Sequence, residues 1–207
     1  MNASAAIDQP LIAIDVVPVS FSTAEGVGFG LAERQFAPFE GRLALPGVLL
    51  AAGERLRHAA YRALDAKAGV RVDQVRYLTQ IGAFDGPGRD PREHAISIAF
   101  IAVIARDAGN LAWQQSPEGL PFDHGTIIAA ARDQLAPRLF ADEALTRALL
   151  GDRFTTSEAV KLAQELTGVA PRRTSLTRSF SENRSLRRAD AVVTGATGRP
   201  AKLWEWV

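Results

Sequence analysis

The stretch LPGVLLAAGERLRHAAYRALDAKAGV, from Leu45 to Val70, decides the fold. Within it Leu56, Ala60, Ala63 and Leu64 recur at i, i+4, i+7 and i+8, one stripe of an α-helix, and Gly69 stands where a left-handed cap favours glycine. The spacing predicts a helix that stops at Gly69. Before it, residues 35 to 47 carry Pro38, Gly41, Pro46 and Gly47, so they read as loop around a short strand at Arg42 to Leu45.

Working outward, Leu11 to Phe21 is rich in Ile and Val and reads as a strand, and Val27 to Arg34 as a second one after the Glu25-Gly26 turn. On the other side, Val75 to Phe84 and Ala95 to Ala105 read as strands split by Asp85-Gly86-Pro87-Gly88. The second of these has the more continuous apolar run, which predicts a central strand covered on both faces. Asp123 is placed to cap a helix with Ile127, Ile128, Ala131 and Leu135 on one face, limited by Pro137. His124 is read as helping that cap. Three helices follow, Asp142 to Leu150, Thr156 to Leu166 and Arg173 to Asn183. Strand-like pieces at Ala191 to Val193 and Ala201 to Trp206 then enclose a Gly-rich turn. Three helices and a hairpin make the winged-helix order. The expected class is α+β, with one part over residues 9–122, a connecting helix over 123–140 and a second part over 141–207.

Charge divides the chain the same way. Its 207 residues carry a net charge of only +1, yet Arg172 to Lys202 holds eight basic residues against two acidic ones. A local excess of +6 on the third helix and hairpin of a winged helix favours a DNA partner over an ordinary solvated face. No cysteine is present, which excludes disulfides, thiolate catalysis and Cys-ligated zinc. The first ten residues lack a basic leader, and no apolar run approaches the ~18 residues of a membrane span. A cytoplasmic protein without membrane partners is expected.

The quoted stretch resembles a Nudix box, G-x5-E-x7-R-E-U-x-E-E-x-G-U with U a bulky aliphatic. Placing the last G-U on Gly69-Val70 puts the first glutamate on Glu54, the arginine on Arg62 and an aliphatic on Leu64. The opening glycine falls on Val48, one residue after Gly47, and the three later glutamates fall on Ala63, Ala66 and Lys67. Around the box, Tyr77-Leu78-Thr79-Gln80, Arg89-Asp90-Pro91-Arg92, Phe122-Asp123-His124, Phe154-Thr155 and Gly198-Arg199-Pro200-Ala201-Lys202-Leu203 resemble, in order and spacing, the Nudix-related transcriptional regulators. The resemblance covers roughly residues 10 to 206. It implies an N-terminal Nudix α/β/α sandwich with a mixed sheet and a C-terminal winged helix-turn-helix. It further implies a homodimer and repression of operons relieved by a small ligand. That effector is ADP-ribose in one branch, tied to NAD metabolism, and a sugar in others.

In an active Nudix hydrolase the glutamates aligned with Ala63, Ala66 and Lys67 share one helical face and hold Mg²⁺ against a diphosphate. Two methyls cannot ligate a hard cation, and the ammonium of Lys67 repels one. The expectation is therefore binding without hydrolysis, with no metal and no cofactor, and with Lys67 standing as counter-charge to a diphosphate or else as a plain surface lysine. A slow pyrophosphatase recruiting other carboxylates is the alternative outside this class. Further candidates for the ligand are Arg34, Phe36, Phe39 and Arg42 from the loop after the second strand, by aromatic stacking and phosphate clamping, with Arg89 and Arg92 from the later turn. Arg89 and Arg92 are alternatively read as ordering the dimer, and each candidate has a plainer reading, as core cover or as a turn paired with Asp90.

For DNA, the third helix offers Arg172, Arg173, Thr174, Ser175, Thr177 and Arg178 around Leu176 and Phe180, which at i and i+4 face the core. Arginine reads guanine and short hydroxyls reach phosphates or base edges. Arg184, Arg187 and Arg188 after the helix, with Arg199 and Lys202 in the wing, are assigned to phosphate. His58, His94 and His124 are too scattered for a metal site, and no serine or threonine sits in a nucleophile motif.

Overall fold

The computed structural model describes residues 9–193 and 201–207, with backbone alone for 190–193 and 201–202. Strand β1 (Leu11–Ser22) lies between β2 (Gly26–Glu33), with which it pairs antiparallel, and β6 (Ala95–Ile104), with which it pairs parallel from Leu11↔Ala95 to Val19↔Val103. Beyond β6 lies β5 (Val75–Phe84), antiparallel, and beyond β2 lies β3 (Leu43–Ala44). The short strands β4 (Gly47–Leu49) and β7 (Ala112–Gln114) complete a seven-stranded mixed sheet by pairing with β1 and β2. Pro18 is tolerated inside β1 because it falls between the two antiparallel partners of that edge, β4 at 13–15 and β2 from Val19 onward.

Alternation along the central strands builds two cores. Ile14 and Val16 of β1 with Phe100, Ala102 and Ile104 of β6 point to one face, where helix α1 (Leu56–Ala68) lays Ala59, Ala60, Ala63 and Leu64 on them. Val17, Val19, Ala99, Ile101 and Val103 point to the other. There they meet helix α2 (His124–Arg138), helix α3 (Glu143–Leu150) and helix α4 (Thr156–Thr167). The sandwich and the mixed sheet are as the sequence predicts, and β6 is buried on both faces. Gly69 caps α1 in the left-handed region (φ 66°, ψ 22°), giving its N–H to Asp65 and Leu64 carbonyls.

The C-terminal part runs α3, β8 (Arg153–Thr155), α4, α5 (Arg173–Glu182), β9 (Leu186–Val193) and β10 (Ala201–Trp206), with a three-stranded sheet in the order β8-β10-β9. Three helices closed by the β9–β10 pair are the succession that the sequence reading expects. Thr155 and Glu158 form a reciprocal capping box on α4, and Asp142 caps α3 through the Leu145 N–H at 3.0 Å.

Several boundaries differ from the sequence reading. Strands β4, β7 and β8 are three residues each, too short to show a period. Strand β9 begins at Leu186 instead of Ala191, because Arg187 and Arg188 are edge-strand residues that read as a charged turn. Pro137 lies inside the last turn of α2, where it forgoes the one N–H bond to the Asp133 carbonyl and the helix ends one residue later. Asp123 occupies the N-cap of α2 but makes no cap bond there.

Candidate functional site

A cleft of about 440 Å³ opens beside the box helix, between the ends of β1, β2 and β4, the α1 face, the 89–95 turn and the residues that lead into α2. Five of the seven expected ligand residues line it: Arg34, Phe36, Lys67, Arg89 and Arg92. Lys67 rises from α1 with its Nζ 5.9 Å from the centroid of the Phe36 ring, which is 68% exposed at the mouth. Arg34 gives Nε–H to the Pro38 carbonyl at 2.8 Å and spreads its guanidinium over the Phe122 ring at 4.8 Å. Burial, with repulsion from Arg92 added, holds Arg34 below the usual guanidinium range. Among the described residues neither Arg34 nor Lys67 has a carboxylate within salt-bridge distance, so both charges are available to an anion.

The other cations of the wall are already engaged. Arg89 is buried and grips Asp123 with two prongs (3.0 and 2.8 Å) while also reaching Asp15 at 3.3 Å. Burial pulls its pKa down, but these carboxylates overcome that and leave it raised. Arg92 pairs with Asp90 at 2.7 Å and holds that carboxylate below its ordinary range. Arg89 therefore braces the floor, and this is where the carboxylate expected to cap α2 has gone.

Phe39 and Arg42 are not cleft-lining residues. The Phe39 backbone is left-handed (φ 65°), which turns its ring edge-on to Phe122 at 5.1 Å, and Arg42 covers the far side of Phe39 while bonding the Gly119 carbonyl. Phe122 is left-handed as well (φ 56°). Such a backbone costs a phenylalanine on the order of 1–2 kcal/mol, held here by the Arg34–Phe122–Phe39–Arg42 stack.

Beneath the cleft lies a buried polar set that sequence reasoning misses. Asp15 accepts from Ser97 Oγ at 2.6 Å and from Arg89, and Gly47 packs directly on its carboxylate. His124 accepts the Leu45 N–H through Nδ1 at 3.0 Å, so it is a floor residue and not a helix cap. Burial lowers its pKa below the ordinary value, keeping the imidazole neutral. The members of this polar set are spread over the chain; their signals in the sequence are Phe122-Asp123-His124 and Arg89-Asp90-Pro91-Arg92, both within the family pattern.

The residues do not fit a divalent cation. Ala63 is fully buried, Ala66 and Lys67 offer no oxygen, and Glu54 is spent on Arg62 (2.9 and 2.6 Å) and on the Ala51 N–H. That fork lowers the Glu54 pKa to about 2. Among the described residues no group of three His, Asp or Glu side chains is arranged to hold a metal.

At the other end, α5 buries Leu176 and Phe180 as its spacing predicts and exposes Arg172, Arg173, Thr174, Ser175 and Arg178. A shallow groove runs along Arg173, Thr174, Thr177, Arg178 and Ser181. Thr177 is half-buried and returns its hydroxyl to the Arg173 carbonyl at 2.9 Å. Arg178 pairs with Glu182 at 2.9 Å in a fully solvated contact worth about 0.5 kcal/mol at most, so it exchanges readily for another partner. Arg184 is exposed, Arg187 shares Glu205 with Arg153 (2.7 and 3.0 Å), and Arg188 lies over Trp204 at 5.0 Å. Arg199 and the Lys202 side chain lie outside the described residues. No described helix is long and apolar enough to cross a membrane.

The fold has counterparts among known proteins. The crystal structure of Shewanella oneidensis NrtR complexed with a 27mer DNA superposes with a TM-score of 0.79 at 22% identity, over 95% of this chain and 93% of that one. The NUDIX domain of the same NrtR, solved with ADP ribose, matches 63% of this chain and 91% of its own at 25% identity and a TM-score of 0.54. A Methanocaldococcus jannaschii protein named ADP-ribose pyrophosphatase is 34% identical over 108 residues, 47% of this chain and 62% of that protein, so less than two thirds of it is covered. Residues 13–139 match the model of the NUDIX domain, more than half of the sequence, and the chain belongs to the Nudix family.

Proposed function

We propose that this protein is a dimeric transcriptional repressor whose Nudix-like part senses ADP-ribose or a related NAD metabolite without hydrolysing it, and whose C-terminal winged helix binds operator DNA. The observation that carries the reading is the exposed basic face of α5, fixed in place by Leu176 and Phe180 and flanked by Arg184, Arg187 and Arg188. An apolar-backed helix with arginines and short hydroxyls outward suits a major groove. The cleft supports the sensing half: Arg34 and Lys67 are two cations without carboxylate partners among the described residues, beside an exposed aromatic ring, and the α1 face has lost the oxygens that hydrolysis needs. The NrtR structures with DNA and with ADP ribose support both partners.

A gel shift with DNA from upstream of the protein's own gene tests this. The wild type is expected to retard it, ADP-ribose to change the retardation, and Arg178→Glu to abolish it while the dimer persists in light scattering. Retardation by Arg178→Glu equal to wild type would assign DNA to another surface. The named activity of the Methanocaldococcus jannaschii relative favours a second reading, a pyrophosphatase. Mg²⁺-dependent cleavage of ADP-ribose by water to AMP and ribose 5-phosphate, at enzymatic rates and without DNA binding, would replace the first reading. A sugar effector is the remaining variant, separated by a thermal-shift comparison of ADP-ribose with arabinose.

A further inference from the structure

Helix α4 belongs to two cores at once. Its Leu162, Ala163 and Leu166 are buried with the sheet, whereas Ala159 is buried with Leu176 and Phe180 of α5. Whatever fixes α4 on the sheet therefore fixes the basic helix that packs against it. Side-chain packing brings α4 onto the sheet, and directional bonds at its end add a constraint on its register.

Those bonds converge on the β1–β2 turn. Glu165 of α4 accepts the Val27 N–H at 2.5 Å, and Lys161, one turn earlier, gives its ammonium to the Thr23 carbonyl at 2.6 Å. From the sheet side, Gln115 donates to the Glu25 carbonyl at 2.6 Å and Arg106 to the Gly26 carbonyl at 3.0 Å, so the turn itself is rigidly held. Arg132 of α2 closes the frame by donating to the backbone carbonyl of Glu165 at 3.0 Å. The approach is so close that any Cβ at Gly26, already left-handed at φ 73°, would strike the Glu165 carboxylate.

We infer that Glu165 is the positioning residue of the DNA-binding helix: its bond to Val27 locks α4, and α5 with it, in one register on the sheet. Strand β1 runs from Asp15 in the cleft floor to this turn, so the lock lies at the far end of the strand that the ligand would rest against. The inference rests on the reading of α5 as the DNA-binding element.

Because the chain has no cysteine, two introduced thiols can carry spin labels cleanly. Labels at His58→Cys on α1 and Ser179→Cys on α5, diluted with unlabelled chain, should give one narrow distance in the otherwise native protein. Glu165→Ala should broaden or shift it and weaken DNA retardation at least tenfold, Glu165→Gln, which keeps an acceptor oxygen, should restore both, and Gly26→Ala should reproduce the Ala result from the other side of the contact. ADP-ribose binding measured by calorimetry should stay within twofold in all three. An unchanged distance distribution in Glu165→Ala overturns the inference. A changed distribution in a protein whose parent never retards DNA leaves the lock standing and overturns the DNA reading instead.

Discussion

His124 takes the backbone N–H of Leu45 on its Nδ1 at 3.0 Å, which leaves the imidazole proton on Nε2, 3.7 Å from Asp15 Oδ1. Protonating Nδ1 would remove an acceptor from a buried amide and place a new cation beside Arg89. Burial, with Arg89 and Arg34 adding to it and Asp15 and Asp123 opposing, depresses the folded-state pKa, and the unfolded chain binds the proton more readily. Stability is fully present above the unfolded value near 6.5 and declines as pH falls below it, with a slope of at most about 1.4 kcal/mol per pH unit. Urea melts at pH 7.5, 6.5 and 5.5 should show the decline, and His124→Asn, which keeps an acceptor, should flatten it.

Gly47 matters through its missing side chain. A Cβ there would meet the Asp15 carboxylate, which Ser97 and Arg89 prevent from moving aside. Gly47→Ala should cost about 1–3 kcal/mol as an overpacked site. A midpoint in denaturant equal to wild type would show that the Asp15 network relaxes freely.

In the cleft, Lys67→Ala should weaken ADP-ribose binding about five- to tenfold by calorimetry, with no effect of EDTA on either protein, corresponding to roughly 1 kcal/mol for one charge-assisted contact. Equal affinity in the variant would reduce Lys67 to a solvated helix residue.

Phe180 sits at the centre of the aromatic cluster, with ring centroids of Phe140, Phe154 and Trp204 at 5.4, 5.4 and 5.5 Å. Phe180→Ala should lose about 3–5 kcal/mol and DNA retardation together. Arg178→Glu should lose only retardation, because its side chain is solvated. Circular dichroism melts of the two variants separate these outcomes.

What was legible in the sequence followed from period and spacing. The α1 stripe ending at Gly69, the two-faced burial of β6 and the Leu176 and Phe180 pair of α5 all depend on residues close in the chain, whereas the box correspondence at Glu54 and Arg62 came from the family resemblance. The cleft floor does not. Asp15, Arg89 and Asp123 meet across 74 and 34 residues, and nothing local to Asp123 says that its carboxylate prefers a buried guanidinium to the N-terminus of α2. Proximity also misled: Phe39 and Arg42 lie near Arg34 in sequence, yet one left-handed residue at Phe39 turns them away to brace Phe122 from behind. Phe122 itself was visible only as part of a family pattern.

The sharing of α4 reaches beyond register. A polypeptide ending at Leu139 would keep every strand of the large sheet but lose Leu145, Leu149, Leu162 and Leu166, uncovering Val17, Val19 and Phe29 to water. Melting of the two halves is therefore expected to be coupled: calorimetry of the whole protein should record a single endotherm, and the shortened polypeptide, its sheet covered by Ile127, Ile128, Ala131 and Leu135 of α2 alone, should unfold at a lower temperature.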